Sequence, residues 1–184
     1  MTIARDSFCS SCGAPYADTR AYPRTCGACA RQIWVNPTPV AVILVPVTAD
    51  ARVGLLVVRR AIPPGIGRLA LPGGFIEEHE PWQVGGAREV REETGVALDP
   101  AKIQPLFFAS SEPRPNRVLL FGLAEALDLA AIGAFAGDAE SSERGLVFGA
   151  AGLVDVFAFP LHAEVAARFF DSRGISGAHA FVPV

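Results

Sequence analysis

The sequence predicts an α/β fold class: an α/β/α sandwich around a mixed sheet, preceded by a small unit built on four cysteines. Two observations lead to this prediction. Strand-like and helix-like segments alternate over residues 37–184, a pattern typical of layered α/β domains. All four cysteines fall in two close pairs near the start of the chain. Since the 184 residues are 51% hydrophobic, they can form a substantial core. We predict one domain over residues 1–36 and a second over residues 37–184.

The cysteines form the pattern Cys9-x2-Cys12 and Cys26-x2-Cys29, with residues 13–25 as the spacer. Paired knuckles of this kind are typical of a zinc ribbon, in which four thiolates hold Zn²⁺ tetrahedrally. The alternatives are two disulfides, which do not suit a cytosolic protein, or four unrelated thiols, which have no reason to pair so closely. Because a four-thiolate site has no open position, we expect the zinc to support folding rather than catalysis.

Strand and turn patterns define the first part of the larger domain. We predict the joint between the two domains at residues 31–39, because Asn-Pro-Thr-Pro at residues 36–39 interrupts regular structure across the boundary. The β-branched run at residues 40–47 predicts a buried strand, and residues 53–60 predict a second strand in a hairpin with a turn at residues 50–52. A short strand is predicted at residues 69–71, before a loop.

The second half of this domain predicts further strands and one more helix. Strands are predicted at residues 103–110, 118–126 and 144–150. Residues 161–171 form an amphipathic pattern that predicts a helix with Val165, Phe169 and Phe170 facing inward. Residues 127–138 are ambiguous between a short helix and a loop, and residues 173–184 give no assignment.

Between these halves, a loop leads into a helix rich in glutamate. Leu71-Pro72-Gly73-Gly74 is a cluster of helix and strand breakers, Pro81 suits the first position of a helix, and Gly95 suits its end. Gly85 and Gly86 lie inside this helix, where each costs about 1 kcal/mol relative to alanine. We therefore expect close packing at these two glycines.

Three carboxylates project from one face of this helix. Glu89, Glu92 and Glu93 are spaced i, i+3 and i+4, and their like charges repel one another. A divalent cation such as Mg²⁺ or Mn²⁺ removes this conflict, because hard cations bind carboxylate oxygens. The alternative is a solvated acidic face. Arg88, placed to steady Glu92, and the adjacent glycine turn favour the metal site.

The same residues carry a resemblance to a known family. At every defined position they match the pattern G-x5-E-x7-R-E-U-x-E-E-x-G-U, as Gly74-x5-Glu80-x7-Arg88-Glu89-Val90-x-Glu92-Glu93-x-Gly95-Val96. This pattern is the Nudix box, and the chain therefore resembles Nudix hydrolases. The resemblance implies the Nudix fold over roughly residues 37–170 and an enzyme that uses Mg²⁺ or Mn²⁺. Its expected reaction is cleavage of the pyrophosphate in a nucleoside diphosphate linked to another moiety.

The resemblance also implies residue roles. The implied metal ligands are Glu89, Glu92, Glu93 and the Gly73 carbonyl. Glu89 is also a candidate for the general base, while Glu80 and Arg88 would orient the others. Many members of the family add a glutamate from beyond the box. Glu140 fits that place best, with Glu143 and Glu112 as rivals, and each of these could instead be an ordinary surface residue.

The resemblance gives less information about the substrate than about the reaction and the residue roles. A zinc ribbon followed by a Nudix domain is similar to the NADH pyrophosphatases, which carry the motif S-Q-P-W-P-F-P-x-S after the box. The equivalent segment here is Ser111-Glu112-Pro113-Arg114-Pro115-Asn116, in which both aromatic residues of the motif are replaced. The expected substrates therefore include ADP-ribose and FAD as well as NADH. Arg114, Arg117 and Glu112 are the candidate substrate-binding residues, since an arginine fork suits a phosphate.

Other functional classes find less support in the sequence. A net charge of −3 gives no general reason to expect membrane or nucleic-acid binding. The ribbon residues Arg5, Arg20, Arg24 and Arg31 would permit nucleic-acid binding, but they are balanced by Asp6 and Asp18 and lack clustered aromatics. We see no signal peptide and no apolar run of about 18 residues, so a cytoplasmic protein is expected.

Two alternatives within the family remain open: hydrolysis of (deoxy)nucleoside triphosphates, and a catalytically weak domain that senses a ligand. The intact box argues against the second. Many family members form dimers, so a homodimer is possible by resemblance. We do not expect catalysis from the three histidines, because His79 is at an unconstrained box position, His162 opens a helix and His179 has no visible partner.

Overall fold

The computed structural model describes residues 7–17, 22–111, 116–137 and 139–184. The chain divides into two compact units, Met1–Pro37 and Thr38–Val184. Several residues considered above lie outside the described residues: Arg5, Asp6, Asp18, Arg20, Glu112 and Arg114.

The first unit is built from short turns and one small sheet. Strands β1 (Arg24–Thr25) and β2 (Gln32–Ile33) pair antiparallel. Each cysteine pair lies in a tight turn, closed by a hydrogen bond from the Gly13 amide to the Cys9 carbonyl at 2.8 Å and by one from Ala30 to Cys26 at 2.9 Å. The two turns have the same backbone hydrogen bond, from the amide of residue i+4 to the carbonyl of residue i. Each turn therefore holds its pair of cysteines in a similar arrangement.

The second unit contains ten strands and three α-helices in the described residues. The strands are β3 (Thr38–Leu44), β4 (Pro46–Ala49), β5 (Arg52–Arg60), β6 (Leu69–Ala70), β7 (Gly73–Phe75), β8 (Gln104–Ser110), β9 (Arg117–Leu123), β10 (Leu127–Asp128), β11 (Ser141–Phe148) and β12 (Ala180–Pro183). The helices are α1 (Trp82–Thr94), α2 (Leu153–Val156) and α3 (Pro160–Asp171), with 3₁₀ turns at Pro100–Lys102 and Leu129–Ala131.

The strands form two mixed sheets. In one, the order is β7-β3-β9-β8, with β3 parallel to β9. In the other, the order is β10-β4-β5-β11-β12, with β6 on β5 and β10 parallel to β4. The run at residues 40–47, predicted as one strand, is divided between the sheets. The division falls at Val45, just before Pro46, whose ring nitrogen cannot donate a ladder hydrogen bond.

Two hydrophobic clusters fill the space between the strands and the helices that cover them. Alternate side chains of β3 point to opposite faces, as strand geometry requires, so Val42 and Leu44 belong to one cluster and Ile43 to the other. The first cluster includes the buried residues of α3, and the second includes Val90 of α1. Helices therefore cover both sides of the strands, which confirms the predicted α/β/α fold.

The helices agree closely with the sequence-based expectation. α1 begins at Trp82, one residue later than predicted, because Pro81 keeps an extended ψ of 150°. It ends at Gly95, whose left-handed φ of 73° closes the last turn. In α3 the side chains of Val165, Phe169 and Phe170 are buried as predicted.

The C-terminal tail and the ambiguous segment also take defined structures. The tail forms β12 against β11, with Phe181 packed over Gly145. Residues 127–138 contain the short strand β10 and a 3₁₀ turn rather than an α-helix. Within the described ranges, no helix is both long and apolar enough to cross a membrane.

Candidate active site and metal centres

Close packing brings α1 onto strand β3. A Cβ atom on Gly86 would lie 2.6 Å from the Ile43 Cδ1 atom, and one on Gly85 would lie 2.7 Å from the Glu80 Oε1 atom. Glycine at both positions therefore lets the acidic helix approach the sheet and the loop before it. The predicted close packing at these glycines is confirmed.

Arg88 lies at the centre of the charged network on α1. Its Nη2 atom donates to the Glu80 carboxylate at 2.8 Å and to the Phe75 carbonyl at 3.0 Å. Its Nη1 atom donates to Glu89 at 2.8 Å and to Glu92 at 3.0 Å. One guanidinium group thus ties the loop to the helix and offsets the repulsion among three carboxylates.

Glu80 serves this network as a permanently ionised anchor. Its hydrogen bonds from the Arg88 guanidinium and the Glu77 amide lower its pKa to about 2. The same ion pair raises the pKa of Arg88. Because the Glu80 carboxylate also accepts the Glu77 amide at 3.0 Å, it fixes the loop that precedes the helix.

Glu93 lies on the more buried side of the helix. Its Oε2 atom accepts a hydrogen bond from the Gly73 amide at 2.9 Å, which connects the helix to strand β7. Burial raises the pKa of Glu93 to about 7, against the lowering effect of the Gly73 hydrogen bond, and the charge of Glu89 adds to the increase. Burial also raises the pKa of Glu89, while the Glu92 side chain is half-exposed.

Among the described glutamates beyond the box, Glu140 acts electrostatically on this cluster. Its charge contributes to the raised pKa of both Glu89 and Glu93. Its carbonyl accepts from the Ala61 amide at 2.7 Å, which fixes the start of β11. Glu143 instead forms an ion pair with Arg59 at 2.7 Å.

The four cysteines form a second candidate metal centre. Their sulfur atoms all lie within 4.8 Å of one another, with Cys9–Cys29 at 3.8 Å and Cys12–Cys26 at 3.6 Å. A tetrahedral Zn²⁺ with bonds of about 2.3 Å needs sulfur atoms about 3.8 Å apart. All four are free cysteines in the structure, and their sulfur spacing fits a site that can hold zinc. In the part of the chain that the structure describes, the glutamates of α1 do not form such a tight group.

Backbone amides favour the thiolate form of Cys9 and Cys26, whereas at Cys12 the lowering effect of the Ala14 backbone is outweighed by the Cys29 and Cys26 side chains, which raise its pKa to about 12. Amide groups of Ser11 and Cys12 lower the pKa of Cys9 to about 6, and the amide of Cys29 contributes most to lowering the pKa of Cys26. Since zinc binds the thiolate form, these turns prepare the site for a metal.

Two features of the site were missed by sequence reasoning. Phe75 is 52% exposed, and the Arg117 guanidinium lies 5.4 Å from the centre of its ring. Phe75 occupies an unconstrained box position, so only its apolar character in a polar loop could have drawn attention to it. His162 is buried, and its Nδ1 atom accepts a hydrogen bond from the Leu71 amide at 3.2 Å.

The other two histidines contact groups outside the proposed set of cation ligands. The His79 side chain is 82% exposed, and its Nε2 atom lies 3.5 Å from a carboxylate oxygen of Glu77. His179 does have a partner, contrary to expectation, because its Nδ1 atom lies 3.0 Å from the Ala151 carbonyl oxygen.

Comparison with solved structures reveals similar proteins. A NUDIX hydrolase from Nitrosomonas europaea is 26% identical, with a TM-score of 0.69 over 91% of this chain and 92% of that chain. The NUDIX domain of Shewanella oneidensis NrtR, solved with ADP ribose, is 20% identical, with a TM-score of 0.63 over 76% of this chain and 90% of that one. A bifunctional NMN adenylyltransferase/ADP ribose pyrophosphatase from Francisella tularensis, solved with AMP and manganese, is 18% identical, with a TM-score of 0.60 over 76% and 42% of the two chains.

The NUDIX domain family model matches residues 37–145, more than half of the chain. The chain therefore belongs to the NUDIX family. Its fold and family make it a pyrophosphohydrolase, an enzyme that acts on phosphorus anhydrides. Enzymes of this family use divalent metals such as Mg²⁺ or Mn²⁺.

Proposed function

We propose that this enzyme hydrolyses the pyrophosphate bond of a nucleoside diphosphate linked to another moiety, of the ADP-ribose, FAD or NADH type, and releases a nucleoside monophosphate. The observation that carries this proposal is the cluster of carboxylates organised by Arg88 beside the Gly73 loop. Such a cluster supplies the hard oxygen ligands that Mg²⁺ and Mn²⁺ prefer.

The residues that would hold the cation are Glu89, Glu92, Glu93 and the Gly73 carbonyl. When bound there, a divalent cation neutralises the phosphates, lowers the pKa of a water and stabilises the leaving oxygen. Glu93 fits this role because burial disfavours its charged form, and a nearby cation compensates for the lost hydration. The Gly73 amide holds its other oxygen in place.

The remaining charged residues would position this ligand set and activate water. Arg88 and Glu80 orient the carboxylates through the hydrogen bonds described above. Glu89 or Glu140 would accept the proton of the attacking water, since both carboxylates belong to the same electrostatic cluster.

Phe75 and Arg117 support a nucleotide that carries a base and a diphosphate. An exposed aromatic ring can stack on a base, and an arginine fork can pair with a phosphate. Phe75 would thus supply the aromatic surface that the segment after the box lacks. Arg114 and Glu112 stay candidates for the same site. The neighbours solved with ADP ribose, or with AMP and manganese, favour the ADP-ribose type.

We also propose that residues 1–36 are a zinc-ribbon domain and that residues 37–184 are the hydrolase domain. The spacing of the four sulfur atoms supports a structural Zn²⁺ in the first. In that role the zinc would hold two turns together without contacting substrate.

A hydrolysis panel tests this function. With Mg²⁺ or Mn²⁺, the panel covers ADP-ribose, NADH, FAD, diadenosine polyphosphates and (deoxy)nucleoside triphosphates, and AMP release from an X-linked diphosphate is expected. Pyrophosphate release from a triphosphate alone would contradict the proposed substrate class.

Variants of the carboxylates test the site. Glu92→Gln and Glu93→Gln should each lower kcat by about 100-fold or more while the fold is kept, because each loses a charge that serves the cation. Glu164→Gln is the matched control, since Glu164 pairs with Arg168 on the surface of α3. Full turnover in both box variants would contradict the site assignment.

A further inference from the structure

His162 contacts the loop before the box from the opposite side of the sheet. It lies on α3, is 5% exposed, and accepts the Leu71 amide on its Nδ1 atom at 3.2 Å. An imidazole nitrogen that accepts a hydrogen bond carries no proton, so the ring is neutral with its hydrogen on Nε2. The rings of Phe121 and Phe159, at centroid distances of 5.8 and 4.9 Å, hold the imidazole in this orientation.

This hydrogen bond is one of three that fix the short loop. The Pro72 carbonyl accepts from the Ile43 amide at 2.9 Å, and the Gly73 amide donates to Glu93 at 2.9 Å. Leu71 is 1% exposed, so its amide has no access to water and needs a partner within the protein. His162 supplies that partner, and the loop is thereby attached to α3, β3 and α1.

We propose that His162 is a positioning residue for the metal-binding loop. By accepting the Leu71 amide it sets the backbone of Gly73, and through Gly73 the carboxylate of Glu93, in the arrangement that a cation needs. The inference rests on the proposed function, because it takes Gly73 and Glu93 as cation ligands.

A matched pair of substitutions isolates the acceptor. In His162→Asn the amide oxygen takes the place of Nδ1, whereas in His162→Leu a side chain of similar size has no acceptor. Both lose the aromatic ring, so the two variants are compared for the presence or absence of an acceptor at this position, and comparison below each melting temperature separates the effect on metal binding from the effect on stability. Mn²⁺ binding is measured without substrate, either by calorimetry or from the electron paramagnetic resonance signal of the free Mn²⁺ ion. The measurements are made well below the melting temperature of each variant.

The expected result is a metal affinity about tenfold weaker in His162→Leu than in His162→Asn, with a higher KM for the metal and a smaller change in kcat. Equal Mn²⁺ affinity in the two folded variants would overturn the proposal. Because the Mn²⁺ binding measurement uses no substrate, an error in the proposed substrate class leaves the measured affinities unchanged and shows itself only in the turnover data and the hydrolysis panel.

A measurement on the unmodified protein covers the case in which a variant does not fold. Hydrogen exchange should find the Leu71 amide strongly protected, and nitrogen NMR should find His162 neutral with an unprotonated Nδ1. Rapid exchange at Leu71, or a proton on Nδ1, would overturn the proposal.

Discussion

A single side chain, that of Arg88, links the carboxylates of the acidic helix to one another and to the preceding loop. Its planar guanidinium has enough donors to contact the carboxylates of Glu80, Glu89 and Glu92 and the Phe75 carbonyl at once. A lysine has three donors on a single nitrogen and cannot make this planar set of contacts. Arginine at this position is therefore dictated by geometry as much as by charge.

His162 leads to a prediction about acid stability. Burial lowers its pKa to about 3, with a further contribution from the charge of Arg60. In the unfolded chain the pKa returns to the ordinary value of 6.5. At pH values between these two pKa values, His162 binds a proton in the unfolded chain but not in the folded protein. The free energy of unfolding should therefore fall as the pH falls through this window, by about 1.4 kcal/mol per pH unit from this residue.

The variant His162→Asn provides the comparison, because asparagine does not titrate. Urea unfolding of both proteins between neutral pH and about pH 5 should find that the wild-type loses stability faster than the variant on acidification. Parallel stability curves for the two proteins would contradict the assignment of a neutral, buried histidine.

At the scale of elements, the fit between α1 and β3 depends on Gly86. Alanine would favour the helix by about 1 kcal/mol, but its Cβ atom would lie 2.6 Å from Ile43 Cδ1 in a fully buried position. Overpacking of this kind costs about 1–3 kcal/mol. We expect Gly86→Ala to lower the free energy of unfolding, as measured by chemical denaturation.

Ile43→Ala tests the cause, because this substitution removes both the Cδ1 and Cγ1 atoms, which a Cβ atom on Gly86 would meet at 2.6 and 2.8 Å. In the Ile43→Ala background, Gly86→Ala should lose most of its destabilising effect, with a coupling energy of about 1 kcal/mol in a double-mutant cycle. Strict additivity of the two substitutions would show that Gly86 is needed for another reason.

Local sequence patterns were sufficient to predict α1, α3, the hairpin turn and the cysteine knuckles. Each depends on neighbours within a few residues: Gly95 ends α1, and Asp50 and Ala51 adopt the positive φ values of the turn. The box and its offsets also identified Arg88, whose contacts along the helix follow from helical geometry.

Local sequence patterns could not predict the contacts between segments that lie far apart in the sequence. The tail forms β12 only because an edge of β11 is available to it, and the sequence of residues 173–184 does not reveal that edge. The contact between Phe75 and Arg117 depends on their strands flanking β3 in a particular register. The His162–Leu71 hydrogen bond joins residues 91 positions apart.

At the scale of the whole molecule, the two units differ in what can hold them folded. The second unit has two large apolar clusters. Among the described residues of the first unit, the buried apolar side chains are those of Cys9 and Cys26. Units below about 40 residues usually need metals, disulfides or association to fold, and these cysteines are free thiols. We therefore predict that the first unit depends on a metal at its four sulfur atoms.

We expect one tightly bound zinc per chain, and we expect chelation or Cys26→Ser to unfold the first unit of the intact protein. Loss of the metal leaves the thiolates without the cation that offsets their mutual repulsion, and the described residues of the first unit contain no apolar core to compensate for it. Limited proteolysis and hydrogen exchange over residues 22–37 should detect the change, with Ser10→Ala as the control because Ser10 is exposed. Acidification should release the zinc as protons compete for the thiolates. A first unit that resists protease in excess chelator, with no metal bound, would contradict a folding role for the site.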